Sequence, residues 1–137
     1  MSVEFLEIDD VLELHALQLE EFGGMPGLRD RGLLESAVAQ PQASAFGELL
    51  HPDVVSMAAA YLFYIVRNHA FFDGNKRAGL VTALVFLEWN GLRVPDGAPE
   101  LYDLTLGVAD GSITRSTATA RTSDWPATFP CRPRWSK

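Results

Sequence analysis

His69-Ala70-Phe71-Phe72-Asp73-Gly74-Asn75-Lys76-Arg77 is the stretch on which the reading of this chain turns. It interrupts two long apolar runs. Upstream, Val54, Val55, Met57, Ala58, Tyr61, Leu62, Ile65 and Val66 predict a helix that is apolar on nearly every side. All-round hydrophobicity of that kind belongs to a central helix with several neighbours. Downstream, Leu80, Ala83, Leu84, Phe86 and Leu87 predict a second apolar helix over 75–90, stopped by Asn90-Gly91. The nine residues between them bring together an imidazole, a carboxylate, a glycine, an amide, an ammonium and a guanidinium.

Working outward, the rest of the chain also reads as helix. Asp9 or Asp10 suits the cap of a first helix, whose buried stripe is Val11, Leu12, Leu14, Leu17, Leu19 and Phe22, with Gly23-Gly24 as its stop. Asp30 suits the cap of a short helix through Leu33, Leu34, Ala37 and Val38, ended by Pro41. Residues 41–51 have no clear period and fit a loop or a small hairpin. Pro52 fits a first helical turn. Pro95 and Gly97 mark a loop, and Pro99 opens a last helix carrying Leu101, Leu104, Leu106 and Val108, ended by Gly111. Strand alternation is almost absent, so the class is all-α, a compact helical bundle with the polar stretch between two central helices. The expected division is a helical domain over 1–111 and a tail over 112–137 that is a short helix or irregular. Trp125, Phe129 or Trp135 would hold that tail.

The polar stretch has a physical reading of its own. Gly74-Asn75-Lys76-Arg77 falls in the first turn of the second helix. A helix N-terminus offers free N–H groups and the positive end of a dipole, a natural place for an anion. Lys76 and Arg77 oppose that dipole, so structure alone disfavours them there. A bound phosphate removes the conflict, with Lys76 as a point charge and Arg77 as a fork of donors. Asn75 can donate to a further oxygen. Asp73 beside a phosphate needs a cation between them, and Mg²⁺ held by one carboxylate and substrate phosphates meets that need. His69, at the exit of the upstream helix, can take a proton from an attacking hydroxyl. Phe71 would anchor the loop in the core. An ordinary Gly-Asn turn with an aspartate cap is the plainer alternative. His15 is expected on a helix face and His51 before a helix start, neither with chemistry. Tyr61, Phe63, Tyr64 and Phe86 follow core spacing.

Composition narrows the function classes. The chain has 137 residues, 47% hydrophobic and 21% charged, with a net charge of −7. One compact domain with a real core follows. The acidic balance excludes non-specific nucleic-acid binding and docking on anionic membranes. The single cysteine, Cys131, excludes an internal disulfide and lacks a neighbour that would activate it. No signal segment or membrane-length apolar run is seen, so a cytoplasmic location is expected. Charge is uneven: the tail carries Arg115, Arg121, Arg132, Arg134 and Lys137 against Asp124 alone. Lys76 is the only lysine before it.

The same stretch resembles the signature of the Fic/Doc superfamily, and within it the Doc (death-on-curing) toxin branch. The Fic motif H-x-F-x-[D/E]-G-N-G-R-x-x-R is met at His69, Phe71, Asp73, Gly74, Asn75 and Arg77. Lys76 replaces its second glycine and Leu80 its final arginine, and both departures follow the Doc pattern H-x-F-x-D-x-N-K-R. Gly27-Leu28-Arg29-Asp30, Leu33-Leu34-Glu35-Ser36-Ala37 and Val85-Phe86-Leu87-Glu88-Trp89-Asn90-Gly91 also look like Doc-branch sequence, so the likeness covers about residues 8–111.

The resemblance implies the Fic fold and an ATP-dependent transferase. Ordinary Fic enzymes move AMP to a protein hydroxyl. The Doc branch is a protein kinase toxin that moves the ATP γ-phosphate to a threonine of elongation factor Tu and halts translation. By matching position, His69 is implied as the general base, Asp73 as the Mg²⁺ ligand, and Gly74, Asn75, Lys76 and Arg77 as the nucleotide cradle. Lys76 and Arg77 are the residues that would neutralise charge in transfer. A lysine at 76 fills space that glycine leaves for phosphates, which would let the nucleotide bind reversed, and Leu80 removes an arginine that would hold the far phosphates for AMP transfer, so both changes point away from AMP transfer. Residues 41–51 correspond in place to a flap that positions the target. The inhibitory pattern [S/T]-x-x-x-E-[G/N] has its nearest match at Ser44 and Glu48, in the wrong context, so the expected regulator is a separate Phd-like antitoxin of a toxin–antitoxin module. The alternatives are an AMP transferase of Fic type, and an inactive nucleotide- or partner-binding protein of the same fold. The tail departs from the closing helix usual in the branch.

Overall fold

Asp53 starts the helix around which the others assemble. Its carboxylate accepts from the Ser56 N–H at 2.7 Å, and the Ser56 hydroxyl returns to the Asp53 N–H at 3.2 Å, a reciprocal cap. The computed structural model describes residues 3–92, 99–112 and 114. In it, helices run over Ile8–Phe22 (α1), Arg31–Ala39 (α2), Val54–Asn68 (α3), Asn75–Trp89 (α4) and Pro99–Asp110 (α5). A 3₁₀ turn, Gln40–Gln42, follows α2 and leads to a two-stranded antiparallel hairpin, Ser44–Ala45 (β1) and Glu48–Leu49 (β2). The all-α expectation holds, and the stretch 41–51, which the sequence leaves as a loop or a small hairpin, contains the end of the 3₁₀ turn and the hairpin.

α3 packs against α2, α4 and α5, as its uninterrupted apolar character requires. Ala58, Ala59, Ala60, Leu62 and Val66 are fully buried. α4 comes closest of all because it presents Gly79 to α3. A Cβ there would lie 2.6 Å from Val66 Cγ2 and 3.2 Å from the Leu62 carbonyl oxygen. That close packing fixes the two helix ends between which residues 69–74 are strung. Leu104 and Val108 seat α5 in the same core. The segment before α1 is tied down through Leu6, whose N–H and carbonyl both bond the Tyr61 hydroxyl at 3.0 Å. Burial pushes that phenol well above its ordinary pKa.

Three local expectations are corrected. α1 is capped by Glu7, whose side chain accepts from the N–H of Asp10 while the Asp10 carboxylate accepts from the Glu7 N–H at 2.8 Å. Asp9 and Asp10 are thereby first-turn residues, where the dipole favours acids. Pro52 precedes the Asp53 cap and is not in the helical turn. On α1, Leu17 and Phe22 are exposed while His15 is buried, because the inward face runs Val11, Leu14, His15. The loop marked by Pro95 and Gly97 lies outside the described residues, as does the tail from Arg115 onward with Trp125, Phe129, Cys131 and Trp135. Ser112 folds back, its N–H on Asp110 at 2.8 Å and its hydroxyl on the Gly107 carbonyl at 3.3 Å. Among the described residues no helix is long and apolar enough to cross a membrane.

Candidate active site

α3 ends at Asn68, and His69 caps it in the left-handed conformation, φ 49° and ψ 46°. α4 begins at Asn75 behind Gly74, which is also left-handed at φ 77°. Between these two caps the chain makes a short loop. Phe71 is driven into the core, as expected from the sequence, and the polar side chains on either side of it are left at the surface. Asn75 closes the loop from α4. Its amide oxygen accepts from the Phe71 N–H and its amide nitrogen donates to the Phe71 carbonyl, both at 3.0 Å. The amide read from sequence as a phosphate donor is thus also the clasp of the loop.

Asp73 is the best-held polar group. Its carboxylate accepts the Met25 N–H at 3.0 Å and the Gly74 N–H at 2.9 Å. These two bonds, in that order, with smaller help from Arg77 and His15, hold its pKa below the ordinary 3.8. The carboxylate is therefore an exposed anion with lone pairs to spare. Gly24 makes this possible. A Cβ there would stand 2.8 Å from Asp73 Oδ2, and φ 127° is itself unsuited to a side chain. Among the described residues no group of three or more His, Cys, Asp or Glu side chains gathers as a protein cage for a metal. A hard cation that keeps its waters and binds one carboxylate plus phosphates fits this donor set.

His69, Asp73, Gly74, Asn75, Lys76 and Arg77 all line a single cleft of ≈ 860 Å³. Its other walls are Phe22, Gly23 and Gly24 at the end of α1, with Leu106, Ala109 and Asp110 on α5. Ligand pockets are typically about 300–1,000 Å³, so a nucleotide has room. The first turn of α4 contains no acidic residue, and Lys76 and Arg77 are both exposed there. The Arg77 guanidinium lies 5.0 Å from the centre of the Phe22 ring, with one nitrogen 3.4 Å from the Gly23 carbonyl. Asp110 on the opposite wall accepts from Ser112 and has its pKa lowered chiefly by those bonds. The arrangement offers an imidazole, an ionised carboxylate and two cations at a helix N-terminus, all facing one space.

Three participants escaped the sequence reading. His15 Nε2 donates to the Asp73 carbonyl at 2.8 Å, and its ring stacks on Phe71 with centroids 3.7 Å apart. Its place four residues after Val11, on the buried face of α1, was the available signal. Arg29 donates from Nε and Nη2 to the His69 carbonyl, at 2.9 and 2.6 Å. Gly23-Gly24 is both the stop of α1 and a wall of the cleft. Residues 27–30 run antiparallel to residues 70–72, with Leu28 bridged to Phe71.

The model of the Fic/DOC family matches residues 5–87. The protein named Protein kinase doc, from Escherichia phage P1, is 40% identical over 109 residues, which span 79% of this chain and 84% of that protein. The protein named Toxin Doc, from Mycolicibacterium smegmatis, is 43% identical over 91 residues, 66% of this chain and 68% of its own length.

Proposed function

The chain belongs to the Fic/DOC family, and on that premise we propose that it is a Doc-type toxin, an ATP-dependent protein kinase acting on a Ser/Thr hydroxyl. The observation that carries the reading is the pair Lys76 and Arg77 in the first turn of α4, sharing a cleft with His69 and Asp73. Two cations that work against the helix dipole are accounted for by an anion bound there. The names of the relatives, a protein kinase and a toxin, point the same way.

Each residue then has a task that its position allows. The His69 imidazole accepts the proton of the target hydroxyl as the hydroxyl oxygen bonds the γ-phosphorus. The bond from that phosphorus to the bridging oxygen breaks, and ADP leaves. Lys76, Arg77 and the α4 N–H groups hold the phosphate oxygens and oppose the charge that builds on them. Asp73 would hold Mg²⁺, which when bound neutralises phosphate charge. Gly74 lets the backbone come close to the phosphates, and Asn75 keeps the loop closed while offering its second amide hydrogen.

The target we propose is an elongation factor Tu-like protein, and the regulator a Phd-like antitoxin supplied in trans. The pattern Ser44…Glu48 lies across the two strands of the hairpin and forms no helix, so the hairpin does not furnish an inhibitory helix in cis. The domain reading remains a catalytic unit over 1–111 with 112–137 appended. Mass spectrometry of purified elongation factor after incubation with ATP and magnesium tests the proposal. A phosphate on a Ser or Thr is the expected product, and an adenylyl group in its place would return the chain to AMP transfer. Lys76→Gly is expected to depress phosphate transfer strongly, and unchanged transfer would remove Lys76 from the explanation.

A further inference from the structure

We propose that Arg29 is a positioning residue for His69, acting on its backbone from outside the nucleotide cleft. The inference rests on the kinase reading above for its kinetic part only. The C-terminal carbonyls of a helix lack partners within the helix. At the end of α3 the capping residue is His69 itself, held in a left-handed conformation that a side-chain-bearing residue rarely adopts. Its carbonyl would otherwise face water.

Arg29 takes that carbonyl with two donors of one planar guanidinium, at 2.9 and 2.6 Å. A cation at the negative end of a helix is well placed, and two bonds from a rigid fork fix direction as well as distance. The neighbouring peptides are fixed from the same short connector. The Arg29 and Asp30 N–H groups both donate to the Ala70 carbonyl, at 2.7 and 3.0 Å, and the Phe72 N–H donates to the Gly27 carbonyl at 3.2 Å. The connector between α1 and α2 thus sets the peptide planes on the C-terminal side of His69. The peptide plane sets the direction of the His69 Cα–Cβ bond, and with it the small set of rotamers from which the imidazole reaches the cleft. Arg29 is not among the residues that line the cleft, and both of its side-chain bonds end on the His69 carbonyl, so the route by which it acts is His69.

The test uses the full chain with Arg29→Met, which keeps the stem and removes the donors, and Arg29→Lys, which restores a single charged donor. Arg29→Met is expected to lower kcat about 10–100-fold while the KM for ATP stays within about twofold, because a misplaced base costs rate and leaves nucleotide binding alone. Arg29→Lys is expected to recover part of the loss. In a His69→Ala background, Arg29→Met should change the residual rate by less than about twofold, since both changes act on one group. A raised KM with kcat unchanged, or an equal loss in the His69→Ala background, overturns the proposal. A second readout is independent of activity. The His69 amide and Cα resonances should move in Arg29→Met and return toward wild type in Arg29→Lys, with the core methyls of Leu62 and Val66 unmoved. Unmoved His69 resonances in folded Arg29→Met would also overturn it. Wild-type protein that transfers no phosphate would sink the kinase reading, and the resonances alone would then decide the positioning claim. If Arg29→Met does not fold, Arg29→Lys carries the test, and an unchanged kcat there counts against Arg29.

Discussion

His69 and Phe46 share a positive φ and differ in almost everything that surrounds it. Among the described residues they are the non-glycine positions with positive φ, at 49° and 53°. Such a conformation costs roughly 1–3 kcal/mol unless its surroundings impose it. At His69 the surroundings do. The loop it opens is bonded at the carbonyls of His69, Ala70, Phe71 and Asp73, and at the N–H groups of Phe71 and Phe72. At Phe46 they do not. That residue sits with Gly47 at the tip of a hairpin whose strands are two residues long, wholly exposed, and closed by one further bond from Leu50 N–H to the Ala43 carbonyl. The same strain is locked in one place and free to relax in the other. On the proposed reading, a loop that holds a base beside a metal ligand gains from being over-determined, and the hairpin tip carries no such requirement.

The largest effect should come from the locked loop. His69→Ala is expected to lower transfer by about 10²–10⁴-fold with the thermal midpoint little changed, as removal of a general base does. Full activity in that variant would end the assignment. Next is the wall behind Asp73. Gly24→Ala places a methyl 2.8 Å from Asp73 Oδ2, so the rate should fall about tenfold, with more magnesium needed for half-maximal rate. A magnesium titration superimposing on wild type would show that the carboxylate has room to move. At the hairpin, Phe46→Gly removes the strain at the price of glycine's greater freedom when unfolded, so stability should change by less than about 1 kcal/mol, on the favourable side. A larger loss on thermal denaturation would mean that the tip is held after all.

The smallest effect is a pH dependence. The folded pKa of Asp73 lies below its ordinary 3.8, so the unfolded chain takes up the proton first. The stabilising contribution is therefore complete above the ordinary pKa and fades as the pH falls through the folded one. The difference in thermal midpoint between wild type and Asp73→Asn should be constant above about pH 5 and shrink below pH 3.8. A difference that grows on acidification would reverse the sign and with it the account of the two backbone bonds.

What could be read without a structure divides along the same line. The helices were legible because burial imprints a period on neighbouring residues, as in Val54 to Val66. The polar loop was legible because its side chains are consecutive. The groups that hold the loop were not. Arg29 reaches a carbonyl 40 residues away and His15 one 58 residues away, and no local period records such a pairing. His15 does not stand out in the sequence because a histidine on a helix face has many ordinary uses, although its spacing from Val11 marks it as inward. The hairpin does not announce itself, because Phe46-Gly47 puts a phenylalanine where asparagine or glycine usually marks the turn. Pro52 misled by its tolerance of first turns, while Asp53 with Ser56 supplied the stronger start.

The central claim is that Lys76, Arg77, Asp73 and His69 direct the terminal phosphate of ATP onto a protein hydroxyl. Parallel incubations of the chain with lysate and magnesium, using ATP labelled at the γ position in one and at the α position in the other, test it most directly. Protein-bound label from γ-labelled ATP alone, lost in His69→Ala, is the result predicted. Protein-bound label from α-labelled ATP would contradict it.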